Sequence, residues 1–111
     1  MLRFTILFVI LLACADNGPK PPKDPVDEDL MVEVLRDFHL SQSYHELKGL
    51  PADTLDLVMN RSFNYILEEK GVDREKFQET FDYYLTHPEE FTLLYERVVA
   101  EIDSINPEEA L

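Results

Sequence analysis

Helical spacing of apolar residues runs through about eighty residues of this 111-residue chain, and it is the feature that most limits the possible folds. No run of alternating apolar and polar residues is long enough to predict a strand. A segment of this size buries only about 60% of the surface that its unfolded chain exposes, so its core is modest. We therefore predict an all-α fold, a small three- to four-helix bundle over residues 26–106, behind a signal peptide and a Pro-rich linker.

Acidic residues and glycine indicate where the first two helices begin and end. Asp27 is placed to cap the N-terminus of the first helix, and Glu28 and Asp29 follow in its first turn, where negative charge is favourable. The second helix is predicted to open near Pro51. It should close at Lys70, followed by Gly71, because glycine adopts the left-handed conformation that ends many helices.

Two further helices are predicted beyond Gly71. The third begins after Asp73 as N-cap, and the short connection makes it an antiparallel neighbour of the second. It ends at His87, before Pro88. Pro88 suits the first position of a fourth helix, which ends at Asn106 before Pro107, and residues 107–111 are predicted to be a disordered tail.

Each predicted helix carries an apolar stripe that we expect to face the core. Aromatic residues at this spacing could instead line a ligand site, although core packing is the commoner use. In chain order the stripes are Leu30, Met31, Val34, Leu35, Phe38 and His45; Leu55, Met59, Ser62, Phe63 and Ile66, flanked by Val58 and Tyr65; Phe77, Phe81, Tyr84 and Leu85; and Phe91, Leu94, Tyr95, Val98, Val99, Ile102 and Ile105.

Several apolar residues lie off these stripes and are the candidate partner surface. Leu40, Tyr44 and Leu47 form a second face on the first helix, so its C-terminal half should contact two neighbours, or one neighbour and an outside partner. Leu57 and Leu93 occupy similar positions on the second and fourth helices. If these five residues form a contiguous exposed patch, a protein-docking site becomes credible.

The N-terminus is typical of an export signal. Arg3 precedes the apolar run Phe4 to Leu12, which as a helix reaches only about half of a ~30 Å hydrocarbon core. Leu11-Leu12-Ala13-Cys14 resembles the lipobox of bacterial lipoproteins. We predict a signal peptide over residues 1–13, cleavage between Ala13 and Cys14, and lipidation of Cys14. The alternative is an ordinary signal peptide or a buried helix with an accidental cysteine.

Residues 14–25 combine the lipidated cysteine with a tether that has four prolines among residues 15–25. Proline favours extended chain, so the tether is predicted to be a semi-rigid spacer of roughly 30 Å. Multiple acyl chains on Cys14 give stable membrane attachment. A disulfide within the chain is excluded because the sequence has one cysteine.

The formal net charge of −13 restricts the possible partners. Phosphate backbones and anionic lipid surfaces repel such a chain, so nucleic-acid binding is not expected. A basic protein partner is compatible with this charge. The predicted partners are the membrane, through the anchor, and an envelope protein.

An enzyme remains the alternative, as a weak metal-dependent or hydrolytic protein that uses Glu33, Asp37 and His39. Glu33 and Asp37 lie one turn apart, and paired carboxylates can bind a hard cation. The histidine pattern does not support this function, because His39 and His45 are about 120° apart on a helix and His87 adjoins a proline. No nucleophile or phosphate loop is identified, so we predict no enzyme activity, cofactor, catalytic residue or metal site.

The motifs along the predicted helices resemble an uncharacterised domain family of Bacteroidota lipoproteins, the domain of unknown function DUF4296. The resemblance covers nearly the whole chain after the signal. It is carried by the run Asp29 to Ser43, the Gly71-Val72 turn with Phe77, the run Tyr83 to Glu90, and Tyr95 to Val98. Ser41-Gln42-Ser43 departs mildly from the Ala-Glu-Ala character associated with that stretch.

The resemblance implies an exported, lipidated, helical protein and no particular activity. Ala15 after Cys14 does not match the enterobacterial signal for inner-membrane retention, and Asp16 alone is a weak version of an acidic surface-export signal. We therefore expect a lipid-anchored position in the cell envelope, at the outer membrane and facing the periplasm.

Overall fold

The fold of residues 21–105 is described from a computed structural model. It has four α-helices in this range: α1 (Glu28–Leu47), α2 (Ala52–Lys70), α3 (Arg74–Leu85) and α4 (Pro88–Ser104), and residues 21–105 contain no strand. The predicted all-α bundle is confirmed. Among the described residues, no helix combines the length and apolar character needed to cross a bilayer.

The helix ends follow the local signals in the sequence. Gly71 ends α2 with a φ of 66°, in the left-handed region that an L side chain rarely adopts. Asp73 caps α3, where its carboxylate accepts a hydrogen bond from the backbone N–H of Lys76. Asp27 occupies the N-cap of α1 without a side-chain cap bond, and Pro88 begins α4 as predicted.

Helix α1 is the centre of the bundle, since it packs against both α2 and α4, while α3 packs mainly against α4. The C-terminal half of α1 also contacts two neighbours, which is one of the two predicted alternatives: the ring of Phe38 meets that of Phe63 on α2, and the ring of His39 meets that of Tyr95 on α4. Packing of α2 against α3, predicted to be antiparallel neighbours, makes only a small contribution to the bundle. The buried core consists of Met31, Val32, Val34, Leu35, Ile66, Leu67, Phe77, Leu94 and Val98.

A closed circuit of aromatic rings joins all four helices. Neighbouring rings in it have centroid separations between 4.7 Å and 6.3 Å. In order around the circuit the rings belong to Phe38, Phe63, Phe77, Phe81, Phe91, Tyr95 and His39. Most contacts are edge-to-face, the arrangement that the charge distribution of aromatic rings favours. The aromatic residues therefore act largely as packing groups.

Three residues predicted to lie in or beside the inward stripes are largely exposed: Tyr65, Leu85 and Val99. Leu85 is the last residue of α3. Val99 is rotated by about 100° from buried Val98, because each helical residue advances by that angle. The predicted stripe on α4 was therefore too wide.

Residues 21–26, here called the N-terminal strap, lie against α3. The backbone N–H of Val26 donates to Oγ1 of Thr80 at 2.9 Å, and Val26 packs on the core. Asp24 forms an ion pair with Lys76, which raises the pKa of that lysine. Pro21, Pro22 and Pro25 line one cavity with Thr80, Tyr83 and Tyr84. The C-terminal part of the predicted tether is thus attached to the bundle.

The predicted signal peptide, the Ala13–Cys14 cleavage site, the lipidated Cys14 and the tail over residues 107–111 lie outside the described residues.

Candidate interaction surface

The predicted partner residues are mostly exposed on three helices. Leu47 is 74% exposed, Leu93 60%, Leu57 54% and Tyr44 38%, and Leu40 is half-buried. Leucines exposed to this extent leave most of their apolar area in contact with water. The structure therefore places four of the five residues where a partner can reach them.

Tyr44 has a polar local environment at the end of α1. The ammonium of Lys48 lies 4.5 Å from the centre of its ring, and the ring of His45 meets it edge-on at 5.2 Å. The tyrosine ring therefore makes a cation–π contact with Lys48. Leu47, beyond it, is the more fully available apolar group at this end of the bundle.

A groove along α4 was missed by the sequence analysis. The α4 groove has a volume of about 520 Å³. It is lined by Phe91, Thr92, Tyr95, Glu96, Val99, Ala100 and Asp103. The signal was present in the sequence: Phe91, Tyr95 and Val99 recur every fourth residue, on a line beside the buried pair Leu94 and Val98.

The floor of the α4 groove is fixed by contacts with other helices. The ring of Phe91 lies 4.7 Å from that of Tyr95 and 6.3 Å from that of Phe81. The hydroxyl of Tyr95 is 3.2 Å from Nε2 of His39, within hydrogen-bond distance. Burial raises the pKa of Tyr95. Both aromatic rings are therefore held in place before any partner arrives.

The histidines have structural contacts. Nδ1 of His45 donates to the backbone carbonyl of Ser41 at 2.7 Å, one turn earlier in α1. His87 precedes α4 as predicted, where Nδ1 donates to the carbonyl of Tyr83 at 2.7 Å and the ring stacks on Tyr83. In both residues Nδ1 is thus bonded to a backbone carbonyl of the preceding turn.

The three residues of the enzyme alternative do not form a common site. One carboxylate oxygen of Asp37 is 2.9 Å from Nε of Arg36 and the other is 3.5 Å from Nζ of Lys70, whereas His39 turns towards Tyr95. Among residues 21–105, no group of three or more histidine, cysteine or acidic side chains is arranged to hold a metal ion. Asp37 therefore links α1 to α2 instead of presenting a free oxygen pair with Glu33.

Arg36 extends the same ion-pair network to α4. Its Nη1 is 2.7 Å from a carboxylate oxygen of Glu101. Burial alone lowers the pKa of this arginine, but Asp37 and Glu101 outweigh that effect and raise it. At a second contact, Arg97 pairs with Glu28 and Asp29 near the start of α1. These pairs help to set the relative position of α1 and α4.

Comparison with known proteins gives one result. A family model described as "Domain of unknown function (DUF4296)" matches residues 22–108. The match includes the N-terminal strap from Pro22 and all four helices. No curated protein and no solved structure matches the chain.

Proposed function

This chain belongs to the DUF4296 family of domains of unknown function, and we propose that it is a non-enzymatic interaction module held in the cell envelope by a lipid on Cys14. In this proposal the helical domain docks onto another envelope protein. Its position is at the outer membrane, on the periplasmic side. The domain supplies the binding surface, and the anchor supplies its location.

The observation that carries the docking function is the exposure of the predicted partner residues. Leu47, Leu57 and Leu93 each expose more than half of their surface. Nine other apolar residues are buried together in the core. Covering such a side chain with a partner removes its apolar area from water, which favours association. Residues of this kind at several places on a small domain support a protein-binding function.

Because the strap is attached to the bundle, the domain is held at a short distance from the membrane in this proposal. Pro21 lies seven residues after Cys14, and seven extended residues span at most about 25 Å. Because the strap is bound to α3, the end of the bundle that carries Thr80 and Tyr84 stays within that reach of a lipid on Cys14. A partner in the same membrane is then accessible.

Replacement of Cys14 tests the anchor. We expect the full chain, expressed in a bacterial host with lipoprotein processing, to yield a mature form that begins at acylated Cys14. Cys14→Ser should leave the precursor uncleaved and the domain released from multi-chain anchoring. Intact mass and flotation of membranes on a density gradient measure both effects. An unmodified mass with Met1 retained in the wild-type chain contradicts the proposal.

Site-specific crosslinking tests the docking function. A photoreactive residue at Leu47 or Leu57 of the full chain should capture a defined envelope protein in intact cells. The matched control carries the same residue at Gln78, an exposed polar position on α3. Equal products from Gln78 and from the two leucine positions, or no protein product, would contradict a docking surface.

A further inference from the structure

We infer that the α4 groove binds a basic amphipathic helix of a partner protein, an assignment that rests on the proposed docking function and names its site and partner class. Three features of the groove support this: an apolar floor that is already ordered, an acidic rim that forms no ion pair within residues 21–105, and an elongated open shape.

The floor offers apolar area at a low entropic cost of binding. Phe91 and Tyr95 are packed against each other, and Tyr95 is also held by His39 on α1. Val99 continues their line and is 51% exposed. Side chains that are already immobilised lose little conformational freedom when a partner binds, so more of the buried area contributes to affinity.

The rim carries negative charge that the described part of the chain leaves without ion pairs. Glu96 and Asp103 line the groove, and neither forms a salt bridge within residues 21–105. The nearby cations are already engaged, because Arg97 pairs with Glu28 and Asp29 and Arg36 pairs with Asp37 and Glu101. A basic partner is the electrostatic complement.

The shape favours a helix over a small molecule. Sites for small ligands usually enclose 70–90% of the ligand surface. The described residues that line the α4 groove all lie on α4, so they contact a ligand from one side. From Phe91 to Asp103 the groove extends for about 18 Å, at 1.5 Å per residue, which matches about three turns of a partner helix.

The charge of the chain disfavours two other occupants. A second copy brings the same acidic rim and the same net charge of −13, so the two rims repel each other. An anionic lipid surface is disfavoured for the same reason. A helix with lysine or arginine beside an apolar stripe at i, i+3/i+4 and i+7 satisfies both the floor and the rim.

Photo-crosslinking from Val99 in the full chain, in intact envelopes, tests the partner class. We expect the product to map to a segment of a protein with helical apolar spacing and flanking lysine or arginine. Val99 is exposed, so its replacement leaves the core intact. Mapping to lipid, to a second copy, to another segment of this chain or to an acidic or neutral protein segment overturns the inference, as does the absence of a product.

A designed probe tests the charge requirement. The probe is a peptide of about four turns with leucine on one face and lysine on the others, and its matched control has glutamate in place of lysine. We expect the full chain in detergent to bind the lysine peptide, and Glu96→Lys with Asp103→Lys to raise Kd by about tenfold. The control pair Glu75→Lys and Glu79→Lys, on exposed positions of α3, changes net charge equally and should raise Kd less than threefold.

Equal loss in the two charge-reversal pairs means that binding depends on net charge alone and overturns the groove assignment, as does equal binding of both peptides. Circular dichroism of each variant confirms that the helices are retained. If Leu47 captures an envelope protein while Val99 and the probe both fail, the groove inference falls and the docking function stands. If Leu47 and Leu57 also fail, the docking function falls with it.

Discussion

The backbone N–H of Val26 donates a hydrogen bond to Oγ1 of Thr80, 2.9 Å away, across 54 positions of the chain. Thr80 is only 2% exposed, and its hydroxyl in turn donates to the carbonyl of Lys76 at 2.7 Å. One buried hydroxyl therefore connects the N-terminal strap to α3. It also provides an acceptor for a backbone N–H that lies between Pro25 and the start of α1.

Thr80→Val should destabilise the domain by about 1–3 kcal/mol, because the change keeps the shape of the side chain but leaves the N–H of Val26 without an acceptor. Urea unfolding measures the free energy. Thr92→Val is the matched control, since the exposed Thr92 hydroxyl donates to the carbonyl of Pro88 in its own helix and has no other bond within residues 21–105. Equal losses in the two variants contradict a special function for Thr80.

Leu94→Ala should cost about 2–5 kcal/mol, the range for removing a large aliphatic side chain from a packed core. Leu94 is fully buried in the core, whereas its neighbour Leu93 is 60% exposed. Leu93→Ala removes the same atoms and should change stability by no more than about 0.5 kcal/mol. Thermal and urea unfolding of the two variants should differ clearly. Similar losses contradict the assignment of Leu94 to the core.

Gly71→Ala should destabilise the domain by about 1–2 kcal/mol, because a φ of 66° places an L side chain in the left-handed region. A Cβ at this position meets no heavy atom within 4 Å, so the cost comes from the backbone and not from a clash. Gly71→Asn should cost less, since asparagine tolerates this conformation better. Unfolding free energies in the order Gly, Asn, Ala, from most to least stable, confirm this explanation.

Tyr95 should titrate above the ordinary tyrosine pKa of about 10, because burial raises its pKa. The fold favours the neutral phenol, so the stability that this group contributes is complete below pH about 10 and is lost as pH rises through the raised pKa. Tyrosinate absorbance of wild type minus that of Tyr95→Phe gives the titration. The variant should lose less stability on going from neutral to high pH. A difference titration with a midpoint at or below the ordinary value contradicts the prediction.

The sequence alone determined the four helices and most of their boundaries to within a few residues. The periodicity predicts helices, and Gly71, Asp73 and Pro88 set boundaries through a cap bond and backbone geometry, which act over one or two turns. The candidate partner residues Leu47, Leu57 and Leu93 were also predictable, because they lie off the inward stripes. In each case the physical cause is local in the chain, so the sequence displays it directly.

Tertiary structure decided what each helix face meets. Val32 is buried because α1 lies between α2 and α4, and Thr80 is buried because the strap covers it; neither neighbour can be read from the residues nearby in sequence. Similarly, Val99 faces the α4 groove although it is adjacent to buried Val98. A helical pattern fixes which residues share a face, but the packing of distant helices determines which face is covered.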